Sequence, residues 1–185
     1  MKKKDLRYTT QNPWKTHHGK ELYDNPWINV TEYQVTNPSG GAGIYGVVSF
    51  KNLAIGVVPL HADGTITLVG QYRYPLERYS WEIPEGGGPV GVDPLESAQR
   101  ELLEETGLKA HRWQELFRMH LSNSVSDELG IVFLAQEFEQ HHPEPEETED
   151  LELLRIPLQE AYQAVQDGLI TDSLTVAAIF RMMVA

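Results

Sequence analysis

The chain has 185 residues, of which 41% are hydrophobic and 23% charged, and its formal net charge is −12. That length predicts one domain, with room for a small appendage, and enough apolar material for a core. The negative balance disfavours nucleic acid and anionic membrane surfaces as partners, and no apolar run approaches the ~18 residues of a membrane span. Cysteine is absent, which excludes disulfides and thiolate chemistry and fits a cytoplasmic protein. The basic start MKKKDLRYTTQNPW is followed by no apolar stretch, so a signal peptide is not expected.

From Trp27 to Phe50 the pattern is strand-like, with WINVTEYQV and IYGVVSF joined through NPSGGAG, and a hairpin is predicted. AIGVVPLH and TITLVGQYRYP follow, joined by Ala62-Asp63-Gly64, and read as a second hairpin-like unit. SWEIPEG is a short strand leading into a glycine loop. The strongest helix comes next. Asp93 is a good N-cap, Pro94 suits the first helical position, and Glu96 stands where a capping box needs it. Leu95, Ala98, Leu102 and Thr106 share one side, and Gly107 is a natural terminator. RWQELFRMHLS, GIVFLAQEFE and DLELLRIP read as strands. LQEAYQAVQDG and DSLTVAAIFRMMV read as closing helices, the second capped by Asp172 or Ser173. Strands first, a helix among them and helices last predict an α/β sandwich with a mixed sheet.

The helix carries an unusual cluster of charge. Glu101 and Glu105 are four residues apart and project from one face, with Glu104 beside them. Exposed to water, such a pair costs only about 0.2–0.5 kcal/mol. Sheltered at ~4 Å with an effective dielectric near 20, the repulsion is about 4 kcal/mol. The cluster is cheap if solvated and expensive if buried, unless a cation normally sits there.

The surrounding residues bear on that choice. Arg100-Glu101-Leu102, Glu104-Glu105 and Gly107-Leu108 give R-E-U-x-E-E-x-G-U, with U a bulky aliphatic residue. The segment resembles the Nudix box, G-x5-E-x7-R-E-U-x-E-E-x-G-U, spanning residues 86–108 with Gly86 as its first glycine. Val92 stands where that pattern has its first glutamate, a loop and helix-start position. The resemblance implies a Nudix α/β/α sandwich and metal-dependent hydrolysis of a nucleoside diphosphate linked to another group. Glu101 and Glu105 would be metal ligands, Glu104 a ligand or its close partner, and the backbone carbonyl of Glu85 a further ligand. Arg100 would pair with the glutamates. Mg²⁺ is the implied cation, or Mn²⁺, because a diphosphate needs hard cations held by oxygen.

QYRYPLERYSWEIPEGG and NPWINVTEYQV are similar to the ADP-ribose and nucleoside diphosphate sugar pyrophosphatase branch. The implied organisation is an N-terminal antiparallel strand layer over residues 1–50, exchanged in a homodimer, and a Nudix domain over residues 51–185. That branch places its catalytic base in an acidic loop, here EPEETEDLELL. Glu147 would be the base and Glu149 a metal ligand, with Glu144, Glu146 and Asp150 competing and a merely solvated acidic loop as the alternative. Trp27 and Tyr45 match aromatics that sandwich adenine from both subunits, and equally read as core or interface residues. Arg73 matches a diphosphate or ribose contact, or a surface ion pair. Glu128 matches a carboxylate on terminal sugar hydroxyls, or else a turn capped by Ser126 and Asp127 explains that segment.

The expected activity is therefore cleavage of ADP-ribose or a related nucleoside diphosphate sugar into a nucleoside monophosphate and a sugar phosphate. The rivals are a Nudix hydrolase of GDP-mannose, a flavin dinucleotide or a dinucleoside polyphosphate, and a non-catalytic ligand-sensing Nudix domain, for which Val92 is the one argument.

Overall fold

The computed structural model describes residues 11–144 and 150–184. The described residues divide into two compact units: one comprises those up to Phe50 together with Ser124–Asp127, the other those of Lys51–Asn123 and from Glu128 onward.

The first unit is an antiparallel sheet in the order β1-β2-β3. Strand β2 (Ile28–Thr36) and β3 (Ala42–Phe50) form the expected hairpin, in register from Ile28 opposite Phe50 to Thr36 opposite Ala42. Asn37 builds the turn, its side-chain oxygen accepting from the backbone of Ser39 and Gly41. Strand β1 (Lys15–Asp24) was not anticipated from the sequence. KTHHGKELYD has no apolar alternation and is exposed throughout, so it is held by its ladder to β2, across two bulges, rather than by side-chain burial.

The second unit carries β4 (Asn52–Pro59), β5 (Thr65–Arg73), β6 (Arg78–Glu82), β7 (Glu85–Pro89), α1 (Pro94–Thr106), β8 (Leu108–His120), β9 (Leu129–Gln140), β10 (Glu152–Pro157), α2 (Leu158–Gln166) and α3 (Ser173–Met183). Two sheets result: β7-β4-β9-β8, mixed because β4 and β9 run parallel, and antiparallel β10-β5-β6. The hairpin-like unit expected from β4 and β5 is therefore corrected. The two strands enter different sheets and meet at the turn that joins them, through the bridge Leu60–Ile66 and His61 N donating to Thr65 O at 2.8 Å. Pro59 has no N–H to give a ladder, and both strands are buried along most of their length, so each needs neighbours in its own layer.

The core explains the layering. Along β4, Ile55 and Val57 pack with Ala98 and Leu102 of α1, whereas Val58 packs with Leu174, Ala178 and Ile179 of α3. Strand β9 alternates likewise, Ile131 and Phe133 toward α1 and Val132 toward α3. Period-two alternation with both faces apolar sets a sheet between helices. Each fully buried Leu or Ile contributes about 1.5–3 kcal/mol, so Leu102 fixes α1 on the sheet.

The ends of α1 are chemically defined. Asp93 accepts from Leu95 N at 3.0 Å, and Glu96 adds negative charge to the first turn. Gly107 ends the helix at φ 69°, where a Cβ would lie 2.3 Å from the His141 carbonyl oxygen. At α3, Asp172 is the N-cap, accepting from Thr175 N at 2.8 Å. No helix among the described residues is long and apolar enough to cross a membrane.

Candidate metal and diphosphate site

The site forms where α1 lies against β7. The glycines expected as a loop are instead strand: Gly86, Gly87 and Gly88 pair with Ile55, Ala54 and Leu53 of β4. Their lack of side chains lets the helix approach. A Cβ on Gly86 would fall 2.2 Å from the Glu101 carboxyl carbon, so any larger residue there would displace that carboxylate from its place on the strand. The turn before α1 closes with Val92 N donating to Pro89 O at 3.1 Å, and the Val92 side chain is exposed. A hydrophobic residue there leaves the helix start intact.

Glu101 and Glu105 are buried, at 7% and 2% exposure. The carboxylates are thus in the expensive setting. Glu105 Oε2 accepts from the backbone N of Glu85 at 3.1 Å. Arg100 donates to Glu101 Oε1 at 2.6 Å, to Glu104 Oε2 at 2.7 Å and to the Gly87 carbonyl at 2.9 Å. One guanidinium therefore ties both glutamates to β7, and their charges raise its own pKa against the opposing effect of burial.

A second charged group lies beside the first. Arg73, at the end of β5, donates through Nε to both oxygens of Glu82, at 3.1 and 3.0 Å, and through Nη2 to Glu85 Oε1 at 2.9 Å. Burial opposes its charge, but the hydrogen bond to Glu82 and the charges of Glu82 and Glu85 hold it fully protonated. Glu82, Glu85 and Asp172 bring carboxylate oxygens within 4.8 Å of one another. Burial, then Asp172 and Glu82, push the Glu85 pKa well above the ordinary carboxylate range. Glu85 Oε2 is buried without a hydrogen-bond partner among the described residues. An oxygen-only donor set with excess negative charge and an orphaned buried carboxylate oxygen fits a hard divalent cation. Sequence reasoning placed only the Glu85 backbone here. The acidic residue three positions before it, across Pro84, was the available signal for Glu82; Asp172 is far along the chain and had none.

Of the remaining expected residues, Glu128 is half-buried just before β9, and its carbonyl accepts from Leu121 N at 3.2 Å. The Asp127 carboxylate accepts from Phe50 N at 2.9 Å. Trp27 precedes β2 and is 65% exposed. Tyr45 donates to the Ser124 carbonyl at 2.7 Å and meets Trp14 edge-on, ring centroids 5.2 Å apart. The register sets Ile28 opposite Phe50 and Tyr33 opposite Tyr45. At ~3.3 Å per residue, the Cα atoms of Trp27 and Tyr45 in one chain are more than about 15 Å apart along the sheet. Glu147 and Glu149 lie outside the described residues. The segment leading to them is anchored to α1, Glu144 N donating to Glu104 O at 2.9 Å and His141 N to Gly107 O at 2.7 Å.

Residues 50–173 match the family described as the NUDIX domain. The chain belongs to the Nudix family. Residues 14–48 match the nucleoside diphosphate sugar hydrolase N-terminal domain, so the strand layer ahead of the Nudix domain has its own counterpart. The ADP-ribose pyrophosphatase of Bacillus subtilis (strain 168) is 32% identical over 167 residues, covering 89% of this chain and 90% of that protein. The ADP-ribose pyrophosphatase of Mycobacterium tuberculosis is 33% identical over 179 residues, covering 93% and 84%. A crystal structure of an ADP compounds hydrolase superposes with a TM-score of 0.84 at 21% identity, covering 95% of each chain, and confirms the Nudix α/β sandwich.

Proposed function

We propose that this Nudix protein hydrolyses the diphosphate bond of ADP-ribose or a related nucleoside diphosphate sugar, releasing a nucleoside monophosphate and a sugar phosphate. The observation that carries the reading is the burial of Glu101 and Glu105 against the backbone of β7, with Arg100 clamping the helix to the strand. Burying like charges is costly, and a fold retains it where a cation offsets the cost.

Glu101, Glu104, Glu105, the Glu85 carbonyl and Glu149 would hold Mg²⁺ or Mn²⁺. When bound, the cations neutralise the diphosphate and lower the pKa of the attacking water. Glu147 takes the proton of that water as its oxygen bonds to one phosphorus and the bridging oxygen leaves with the other phosphate. Arg73 positions the diphosphate, its partners Glu82 and Glu85 holding the guanidinium in place until the anion arrives. Glu128 orients the terminal sugar through its hydroxyls. Trp27 and Tyr45 stack on the base, one from each chain of a homodimer, as the family resemblance implies.

The test is turnover of ADP-ribose with and without Mg²⁺ or Mn²⁺, products resolved chromatographically, beside GDP-mannose, a flavin dinucleotide and a dinucleoside polyphosphate. Metal-dependent release of a nucleoside monophosphate is expected. Tight binding of ADP-ribose with no product at saturating metal would refute the hydrolytic reading and favour a sensor.

A further inference from the structure

A cavity lies in the second unit, at the opposite end of β4 from the glycine strand. Gly56 is the last β4 residue paired with β7, and the cavity begins at Leu60, roughly 13 Å farther along at ~3.3 Å per residue. Its volume is about 490 Å³, within the span of small-molecule sites. Three strands and a turn converge on it: Arg112 comes from β8, Gln136, Glu137 and Phe138 from β9, Arg155 from β10, and His61 and Asp63 from the turn after β4.

Its chemistry has two halves. The cationic half is Arg112 and Arg155. Arg155 donates Nε to Thr65 Oγ1 at 2.7 Å and Nη2 to Asp63 Oδ2 at 2.8 Å, which leaves its other N–H groups available. Arg112, exposed on β8, has no hydrogen-bond or ion-pair partner among the described residues. In a chain of net charge −12, an unengaged guanidinium beside a second one is a local exception, and a pair of forks suits a phosphate. The other half is aromatic. The rings of His61 and Phe138 lie with centroids 4.9 Å apart, tilted by 52°. His61 Nε2 is engaged with Thr67 Oγ1 at 2.8 Å. Burial first, and then the Arg155 charge, lowers the imidazole pKa, so this wall is uncharged at neutral pH.

The backbone supplies a separate observation. A regular strand sends successive side chains to opposite faces, yet Gln136, Glu137 and Phe138 all border the cavity. Glu137 sits at φ 61°, left-handed backbone that a glutamate rarely adopts. This kink inside β9 breaks the alternation and brings three consecutive residues to the rim. Such conformations gather at ligand sites. The Glu137 carboxylate would repel a bare inorganic anion but can accept from ribose hydroxyls or a base amino group.

We propose that this cavity is a second ligand site, separate from the carboxylate helix, for a nucleoside monophosphate. Arg112 and Arg155 hold its phosphate, the His61–Phe138 wall packs against its base, and Gln136 and Glu137 meet its polar edges. This places a site for one of the proposed reaction products away from the catalytic machinery, though the site is read from its own residues and needs no turnover.

The experiment is calorimetric titration of the metal-free full chain, in EDTA, with AMP, ribose 5-phosphate and inorganic phosphate. AMP should bind saturably, and ribose 5-phosphate and phosphate at least about tenfold more weakly. Arg112→Ala and Phe138→Ala should each weaken AMP at least about tenfold, whereas Glu105→Gln should bind it as the parent does. Arg112 is exposed and without partners among the described residues, so its variant should fold normally, which circular dichroism checks. No saturable AMP binding at millimolar concentration would overturn the proposal. So would Arg112→Ala binding as the parent does, a loss confined to Glu105→Gln, or inorganic phosphate matching AMP. None of these outcomes bears on metal-dependent ADP-ribose turnover, so the two readings fail independently.

Discussion

Helix α1 and the β8–β9 ribbon both gather glutamates, and the two regions treat them in opposite ways. On the ribbon, Glu139 is 55% exposed and surrounded by His111 at 3.1 Å, His141 at 3.5 Å and Lys109 at 3.8 Å. The charge of His111, with its hydrogen bond, holds the Glu139 carboxyl below its ordinary pKa. On α1, Glu101 and Glu105 are withdrawn from water, and beside them burial pushes Glu85 above the ordinary range. Ion pairs like those of Glu139 are worth little, because water would serve almost as well. Buried carboxylates are costly, and their survival in a folded chain marks a site built to receive positive charge.

Four substitutions sharpen or break that contrast. Glu105→Gln should lower turnover at least about a hundredfold while the melting temperature is kept or raised; full activity at saturating metal would end the account of α1. Gly86→Ala drives a Cβ into the Glu101 carboxylate. Denaturant unfolding should show a loss of about 1–3 kcal/mol, with activity falling alongside. Glu85→Gln should raise the melting temperature of the metal-free protein at pH 7. The sign follows from linkage. Its folded pKa is raised, so ionisation opposes folding, and stability declines as pH climbs from the ordinary value of 4.5 toward the folded one. The variant should lack that decline in a melting series across pH. Glu139→Gln should leave the pH 7 melting temperature unchanged within error. The Glu139 pKa is lowered, so any contribution is present above the ordinary carboxylate pKa and fades as pH falls. A shift matching that of Glu85→Gln would erase the distinction between the two regions.

Much of this was legible in the sequence because the deciding signals are local. Asp93, Pro94 and Gly107 bound α1 within one stretch, and Glu101, Glu104 and Glu105 declare their shared face by spacing. The hairpin of β2 and β3 is written in NPSGG. Long-range features were harder. Nothing in KTHHGKELYD announces β1, whose stability comes from pairing. AIGVVPLH followed by TITLVGQYRYP looks like a hairpin until the two strands are found serving separate sheets. Asp172 reads as a helix cap, which it is, and only the fold brings it to Glu82 and Glu85. Trp27 and Tyr45 were legible as aromatics, but their separation depends on register.

The parallel ladder between β4 and β9 has a consequence for how the molecule comes into being. Ala54 pairs with Gly130, so β4, which anchors the glycine strand, waits for a neighbour translated long after it. A high contact order of this kind slows folding. A nascent chain or proteolytic fragment ending before Gly130 leaves the apolar edge of β4 uncovered, an invitation to self-association. Production of truncated forms should therefore yield aggregates unless they extend through β9.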